Sequence, residues 1–173
     1  CHCAKAIRKW ARDKRKSTAI LIIVPGKAEM LKVIAKLSAV FTDHFWDLRR
    51  VDSSTRKPDR QNIREELRTQ KFRADCNDII VVATNVFEKG ITLWINGLID
   101  TGFAVFLDYN GFLKVDPCTQ LQTVQRKGRG GRVADTLWKA LTPKDTVVQQ
   151  VTPHEMQKNH AMSLILGSAL LQK

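Results

Sequence analysis

The apolar run at residues 79–83 constrains the fold of this chain more than any other stretch. All five of its residues are apolar and four are β-branched. Such a run is typical of a strand buried on both faces of a parallel sheet, because a strand with one face in water would alternate apolar and polar residues. Ligands of open α/β sheets bind beyond the carboxyl ends of the strands. The residues that follow the run are therefore candidates for function: Thr84, Asn85, Glu88 and Gly90.

A second constraint is the basic segment at residues 125–132, which places three arginines and one lysine among three glycines. Arginine presents a planar fork of donors that fits phosphate oxygens, and glycine lets the backbone turn tightly around them. A solvated basic loop, or a disordered glycine–arginine segment that binds RNA loosely, is the alternative. Disordered segments of that kind are repetitive, whereas this one occurs once, directly after a helix-compatible run at residues 119–124.

The segments around the apolar run alternate between strand and helix patterns. Residues 18–24 form a second apolar run that closes at Pro25-Gly26, and residues 27–40 then have helical periodicity. Strand, turn and helix in this order is the unit of a parallel α/β sheet. The same criteria predict the following further elements: strands at residues 48–52, 98–100 and 136–141, a helix at 59–72 with Asp59 as N-cap, a hairpin at 104–115 with a two-residue turn at Asn110-Gly111, and a helix at 153–171.

The composition indicates a polyanionic partner, since the formal net charge is +12. Nucleic acid and an acidic membrane surface both fit this charge. The four cysteines have no regular spacing and no segment resembles a signal peptide, so we expect a reducing intracellular compartment. Cys1-His2-Cys3 suggests zinc, but zinc ligands usually recur as two spaced pairs, so we predict no metal site. The chain begins with Cys, and we expect it to be part of a longer polypeptide.

Residues 3–16 are predicted to form a basic amphipathic helix, with Ile7, Trp10 and Ala11 at helical spacing. This helix either contacts nucleic acid or a membrane surface, or packs on the domain with its basic face in water. The aromatic residue Trp46 has a similar ambiguity, since it either stacks on a base or fills the edge of the core.

Two groups of residues resemble motifs V and VI of superfamily 2 helicases. The first group is Ala83-Thr84-Asn85-x-x-Glu88-x-Gly90-x-Thr92, which is followed by Leu98-Ile99-Asp100-Thr101-Gly102. The second group is Gln125-Arg126-x-Gly128-Arg129-x-Gly131-Arg132. Over residues 17–142 the chain is most similar to viral RNA helicases of the potyvirus cylindrical-inclusion and flavivirus type, with hypovirus-like helicases as a further relative.

The resemblance implies an α/β fold: a RecA-like parallel sheet flanked by helices, with a β-hairpin insertion between motifs V and VI. The domain would span residues 17–152. Residues 1–16 would be a basic helix or a linker from a preceding domain, and residues 153–173 a helix that packs on this domain or a following one.

The chain has neither a phosphate loop nor an Asp-Glu-x-His/Asp magnesium site. The resemblance therefore implies the second RecA-like domain of a two-domain motor, with ATP and Mg²⁺ held mainly by the first. It places Arg129 and Arg132 at the γ-phosphate as arginine fingers, and Gln125 at the attacking water or the γ-phosphate. It also assigns three residues to the nucleotide: Gly90, Glu88, which would order water or magnesium, and Arg126, for which a structural ion pair is the alternative.

The resemblance also implies contacts with the nucleic-acid backbone. It places Gly26 and Lys27 in the motif IV turn, which touches the nucleic-acid backbone. Thr84 would contact the backbone of the nucleic-acid strand along which the motor moves. Thr55 and Arg56 either contact RNA or belong to a solvated loop. The implied partners are single-stranded or partly duplex RNA, the preceding RecA-like domain, and a membrane-associated viral replication complex in the host cytoplasm.

The sequence thus predicts the second motor domain of an ATP-dependent RNA helicase, inactive as an isolated fragment. The alternative is a catalytically silent RNA-binding scaffold derived from a helicase. The spacing of Gln125, Arg129 and Arg132 favours the motor, because RNA binding alone does not require it. A membrane-surface structural protein is a third hypothesis that depends only on the basic N-terminal helix.

Overall fold

The computed structural model describes residues 2–13, 18–41, 46–69, 78–84, 93–107, 111–130 and 135–142. These ranges contain four helices and seven strands. The helices are α1 (His2–Asp13), α2 (Lys27–Val40), α3 (Lys57–Thr69) and α4 (Gln120–Lys127). The strands are β1 (Ala19–Ile23), β2 (Trp46–Val51), β3 (Asp78–Ala83), β4 (Gly97–Asp100), β5 (Phe103–Leu107), β6 (Leu113–Pro117) and β7 (Leu137–Ala140).

Five of these strands form one parallel sheet in the order β2-β3-β1-β4-β7. The apolar run of the sequence lies in β3, which pairs with β1 on one side and β2 on the other. Every residue of β3 is buried. The prediction of a doubly covered parallel strand is therefore confirmed.

Successive side chains of each strand point to opposite sides of the sheet, so the buried strands present two apolar faces. Helices cover both faces. Leu21 and Val81 lie in one core cluster with Ile63 and Leu67 of α3. Ile20 and its neighbours on the other face form a second cluster with residues of two helices: Ala4 and Ile7 of α1, and Met30 and Leu37 of α2. The predicted architecture, a parallel sheet flanked by helices, is confirmed.

The basic helix α1 packs on this sheet. Ala4 and Ile7 are each 1 % exposed, whereas Lys5 and Lys9 lie at the surface. Of the two interpretations of this helix, the structure shows the one in which it covers the domain with its charged side in water. The side chains of Trp10 and Ala11 are outside the described part of the chain.

A hairpin follows β4, as the sequence predicts. Strands β5 and β6 pair antiparallel, with Leu107 opposite Leu113 and Phe106 opposite Lys114. The prediction of a two-residue turn at Asn110-Gly111 is wrong, because such a turn would place Leu107 opposite Lys114. Gly111 has a φ of 83°, a left-handed conformation that glycine adopts without steric cost. Asn110 is outside the described residues.

The predicted boundaries of α3 and β2 are wrong. Helix α3 begins at Lys57, so Asp59 is not its N-cap but lies in its first turn. Pro58 explains the earlier start, since its fixed φ and missing N–H suit the first turn of a helix. Strand β2 begins at Trp46, which packs against Phe41 with 4.8 Å between ring centroids. Trp46 therefore lies at the edge of the core, as one of its two interpretations predicted.

Among the described helices, none is long and apolar enough to cross a membrane. The predicted helix at residues 153–171 lies outside the described residues.

Candidate functional site

The carboxyl ends of three neighbouring strands bring the predicted RNA-contacting residues to one edge of the sheet. Gly26 and Lys27 follow β1, Thr55 follows β2, and Thr84 follows β3. Two backbone hydrogen bonds continue the strand pairing past the strand ends: Val24 N donates to Ala83 O (2.9 Å), and Thr84 N donates to Val51 O (3.1 Å). Since β3 lies between β1 and β2, Thr84 lies between the other two turns.

A buried carboxylate organises the turn after β2. Asp52 is 4 % exposed, and its Oδ1 accepts hydrogen bonds from Ser54 N (2.8 Å), Ser54 Oγ (2.6 Å) and Thr55 N (3.0 Å). The Ser54 hydroxyl is the largest of several causes that lower the pKa of Asp52, and the positive charge of Lys27 adds to them. The carboxylate is thus stabilised in its ionised form and holds the turn in one conformation.

Asp52 was not among the predicted site residues, although the sequence around it carries a signal. An Asp followed by Ser and Thr can accept hydrogen bonds from the backbone two and three residues later, which is the pattern of a side-chain-stabilised turn. The second half of this pattern is also present, because Asp52 N donates to Thr55 Oγ1 (3.0 Å).

Thr55 and Arg56 differ in availability. The hydroxyl of half-buried Thr55 is engaged by Asp52, so Thr55 helps to shape the turn. Arg56 is exposed and its Nε donates to Asp59 Oδ2 (2.8 Å), a contact that raises its pKa. An exposed ion pair of this kind contributes little free energy, so it does not prevent the guanidinium from binding a phosphate.

Lys27 stands at the exposed N-terminus of α2. Gly26 is the N-cap, and no side chain caps this end by a hydrogen bond. Helix N-termini favour anions because their first backbone N–H groups lack intrahelical acceptors. Gly26 and Lys27 thus combine backbone donors with a positive charge at the edge where β1 ends.

Helix α4 carries the residues of the predicted motif VI. It begins with a capping box, in which Gln122 N donates to Thr119 Oγ1 (3.2 Å) and Thr119 N donates to Gln122 Oε1 (3.0 Å). Gln125 is exposed near its C-terminal end, and Gly128 follows as the C-cap. The sequence predicted a helix-compatible run only to residue 124, and the structure extends it to Lys127.

Arg126 forms the ion pair that was left open as an alternative. Its Nη1 lies 2.9 Å from Asp100 Oδ1, and each of the two side chains is 1 % exposed. The same nitrogen donates to Phe103 O (3.1 Å). The structure thus shows the ion-pair alternative for Arg126, and the nucleotide-binding assignment stays a prediction. Asp100 also offered a signal, since a lone carboxylate at the end of a buried strand needs a cationic partner.

Arg129 extends from the turn that ends α4. Its backbone N donates to Arg126 O (3.0 Å), and its half-buried side chain has a buried Nε without a hydrogen-bond partner among the described residues. The next residue, Gly130, passes close to Thr136, whose Cγ2 would be 2.6 Å from a Cβ at residue 130. The glycine therefore permits a close approach between this turn and the segment that leads into β7.

The structure brings Gln125 and Arg129 together at one end of α4. It also places Lys27, Thr55 and Thr84 on one sheet edge. The remaining predicted site residues lie outside the described ranges: Glu88, Gly90 and Arg132. Within the described ranges, no group of three or more His, Cys, Asp and Glu side chains could hold a metal ion.

Residues 3–134 match the family described as the helicase conserved C-terminal domain. The chain belongs to this family. The matched residues of this helicase C-terminal domain run from α1 through α4 and include Gln125 and Arg129. The resemblance to a helicase C-terminal domain is thereby confirmed.

Solved structures of the Escherichia coli helicase HrpB are similar to this helicase C-terminal domain. A structure described as the DExH-box NTPase HrpB has a TM-score of 0.61 at 19 % identity. The matched region is 87 % of this chain and 19 % of the HrpB chain. A second structure, described as the DEAH/RHA helicase HrpB, has a TM-score of 0.59 at 20 % identity. The matched region is 80 % of this chain and 18 % of the HrpB chain. This similarity shows the RecA-like fold. Comparison with curated protein sequences found no match.

The chain spans less than a fifth of the length of the HrpB structures that it matches. Both of those structures are bacterial, so the viral subtype stays a prediction that depends on the motif resemblance alone.

Proposed function

We propose that this domain is the second motor domain of an ATP-dependent RNA helicase of the viral superfamily 2 type. It would complete an ATP site on a preceding RecA-like domain and grip single-stranded RNA by its backbone. The observation that carries the proposal is the end of α4, where Gln125 and Arg129 share one turn and the Arg129 Nε lacks a partner among the described residues.

The donors at this end of α4 suit the oxygens of a triphosphate. A guanidinium stabilises negative charge that develops during phosphoryl transfer, and an amide can orient a water molecule. Arg129 and Gln125 supply these two groups, with Arg132 as the proposed second finger. Mg²⁺ would neutralise phosphate charge in the complete site. Its ligands are proposed to come mainly from the preceding domain, with Gly90 and Glu88 lining the nucleotide on this one.

The edge formed by the ends of β1, β2 and β3 suits a nucleic-acid backbone. Lys27 and Arg56 are exposed cations, and Thr84 lies between their two turns. Groups of this kind reach phosphates and not base edges, so the proposed grip is independent of sequence. The net charge of +12 supports a polyanionic partner. Action in a membrane-associated replication complex of the host cytoplasm is the corresponding proposal for its cellular setting.

The decisive experiment replaces the two proposed fingers in the polypeptide that carries both motor domains. Arg129→Ala and Arg132→Ala should each lower RNA-stimulated ATP hydrolysis by about 10³- to 10⁵-fold, because an arginine finger contributes that much to phosphoryl transfer. RNA binding without nucleotide should be unchanged. Lys127→Ala is the matched control: this exposed cation of the same turn lies 5.2 Å from the Trp138 ring centroid, and its loss should leave hydrolysis near the original rate.

Near-normal RNA-stimulated hydrolysis by both arginine variants would contradict the proposal. If RNA binding then weakened instead, the silent RNA-binding scaffold would take its place.

A further inference from the structure

A buried ion pair lies where the hairpin joins the rest of the domain. Asp100 is the last residue of β4, and its Oδ1 accepts hydrogen bonds from Gly102 N (2.8 Å) and from Arg126 Nη1 (2.9 Å). Arg126 Nη1 also donates to the carbonyl of Phe103, the first residue of β5 (3.1 Å). One carboxylate and one guanidinium thus connect the sheet, the start of the hairpin and helix α4.

The returning strand of the hairpin reaches the same point. Cys118, directly after β6, donates its backbone N–H to Gly102 O (2.8 Å). The next residue, Thr119, is the N-cap of α4. Helix α4 is therefore attached to the base of the hairpin at both ends: near its start through Cys118 and near its C-terminal end through Arg126.

The base of the hairpin has little freedom to relax. Gly102 has a φ of 78°, and a Cβ at this position would lie 1.6 Å from Thr142 Oγ1. No other residue could occupy this position without moving the segment after β7. The base of the hairpin and the ion pair are thus closely packed, and interiors packed in this way transmit strain.

Arg126 is linked directly to the two proposed catalytic residues. Gln125 is its chain neighbour, and Arg126 O accepts the backbone N–H of Arg129 (3.0 Å). The ion pair therefore anchors the turn of α4 from which Arg129 extends.

The outer part of the hairpin carries two exposed apolar side chains. Phe112 and Leu113 are 70 % and 76 % exposed. Large apolar side chains at this level of exposure form a surface that another molecule or domain can push against.

We propose that Arg126 is a positioning residue that couples the hairpin to the arginine-bearing end of α4, so that contacts on the hairpin adjust Gln125 and Arg129 for hydrolysis. This inference rests on the proposed function. It assigns Arg126 a role in the rate of hydrolysis without contact with the nucleotide, and it assigns Asp100 the role of holding it.

The test is a double-mutant cycle in the two-domain polypeptide, with a single-stranded oligoribonucleotide as the probe. Arg126→Lys keeps the charge but loses the fork that contacts both Asp100 and Phe103 O. Phe112→Ala with Leu113→Ala removes the exposed apolar surface of the hairpin and leaves the core intact. Each change should lower the RNA-stimulated kcat by about 3- to 30-fold. The KM for ATP should change little.

Combining the two changes should lower kcat no further than Arg126→Lys does alone, because the hairpin is then already disconnected. If Arg126→Lys folds poorly, Asp100→Asn replaces it in the double-mutant cycle. The amide keeps an acceptor oxygen and the size of the side chain but removes the negative charge. Thermal unfolding of each variant is measured as well, and kcat values are compared only at temperatures at which every variant is folded.

The inference is overturned if the two effects multiply independently, or if folded Arg126→Lys and Asp100→Asn retain full kcat. A purely structural ion pair would lower the unfolding temperature and leave the kcat of the folded protein unchanged. Failure here is distinguishable from failure of the proposed function. A motor that loses hydrolysis with Arg129→Ala but shows independent effects in the cycle retains the function and loses only the coupling.

Discussion

Ile7 of α1 packs directly against Gly97 of β4, where a Cβ would lie 2.6 Å from Ile7 Cγ2 and 2.8 Å from Ile7 Cδ1. The absence of a side chain at Gly97 therefore lets α1 cover the sheet. The basic N-terminal helix is part of the packed structure, although its sequence was also compatible with a linker.

This contact predicts the effect of a methyl group. Gly97→Ala should lower the free energy of unfolding by about 1–3 kcal/mol, because extra volume in a packed core forces neighbours to shift. Ile7→Ala should cost about 2–5 kcal/mol by leaving a cavity. In the Ile7→Ala background, Gly97→Ala should be nearly neutral, since the methyl group then enters that cavity. Chemical denaturation of the four proteins checks the cycle, and additive costs would contradict the assigned contact.

The Asp52 turn predicts a pH-dependent contribution to stability. Asp52→Ala should lower the free energy of unfolding by about 1.5–3 kcal/mol at neutral pH, because it removes a charged acceptor from several donors. Asp52→Asn should cost less, since its carbonyl oxygen can still accept hydrogen bonds. Urea denaturation of all three proteins gives both values.

The sign of the pH dependence follows from the lowered pKa of Asp52. Its contribution is fully present above the ordinary pKa of aspartate, about 4, and is lost as the pH falls through the lower pKa of the folded state. The difference between the original protein and Asp52→Asn should therefore shrink at acid pH. A difference that is constant from neutral to acid pH would show that the charge plays no part.

RNA binding by this chain should be weak, independent of sequence and strongly dependent on salt. The logarithm of the binding constant should fall with the logarithm of salt concentration by about 0.7 for each phosphate neutralised. Lys27→Ala should reduce the magnitude of that slope by about 0.7, the contribution of one phosphate. Lys32→Ala is the control, because this exposed lysine lies more than a turn further along α2, away from the strand ends. Fluorescence anisotropy over a salt series measures both, and equal effects would remove Lys27 from the proposed interface.

Thr84 is expected to connect strand engagement with hydrolysis. It is 7 % exposed and lies between the turns of Lys27 and Thr55. In the two-domain polypeptide, Thr84→Ala should weaken RNA binding and reduce the stimulation of hydrolysis by RNA, while basal hydrolysis continues. Thr84→Ser keeps the hydroxyl and should behave like the original protein. If both variants lose RNA binding and RNA stimulation equally, the packing of the Thr84 methyl group is responsible and the hydroxyl is not.

The isolated chain should hydrolyse nucleoside triphosphates negligibly. The 173 residues contain no phosphate loop, and hydrolysis requires that loop to hold the β- and γ-phosphates. A phosphate-release assay with and without RNA measures this. RNA-stimulated turnover by the purified chain that persists through further purification would contradict it.

The elements that could be predicted from the sequence are those with a strong local signal. Strand β3 is a continuous apolar run, and α2 begins directly after Pro25-Gly26 and keeps its apolar period to its end. The hairpin was predicted from Asn110-Gly111. In each case the deciding residues are neighbours in the chain, so propensity and periodicity are sufficient. Membership of the helicase C-terminal family also followed from residues at short, regular spacing.

The weaker predictions depended on partners that are distant in sequence. Arg126 had two interpretations, and only the fold showed that Asp100, 26 residues earlier, is buried beside it. Gly97 carries no side chain, so its role becomes visible only when Ile7 packs against it.

The sequence by itself determined which segments become buried strands, that a hairpin follows β4 and which residues form the helicase motifs. Tertiary structure alone decided that α1 covers the sheet, that Asp52 organises a turn beside Lys27, and that Arg126 is buried in an ion pair with Asp100. The physical reason is that burial and ion pairing depend on three-dimensional proximity, which a parallel sheet creates between residues that are far apart in the chain.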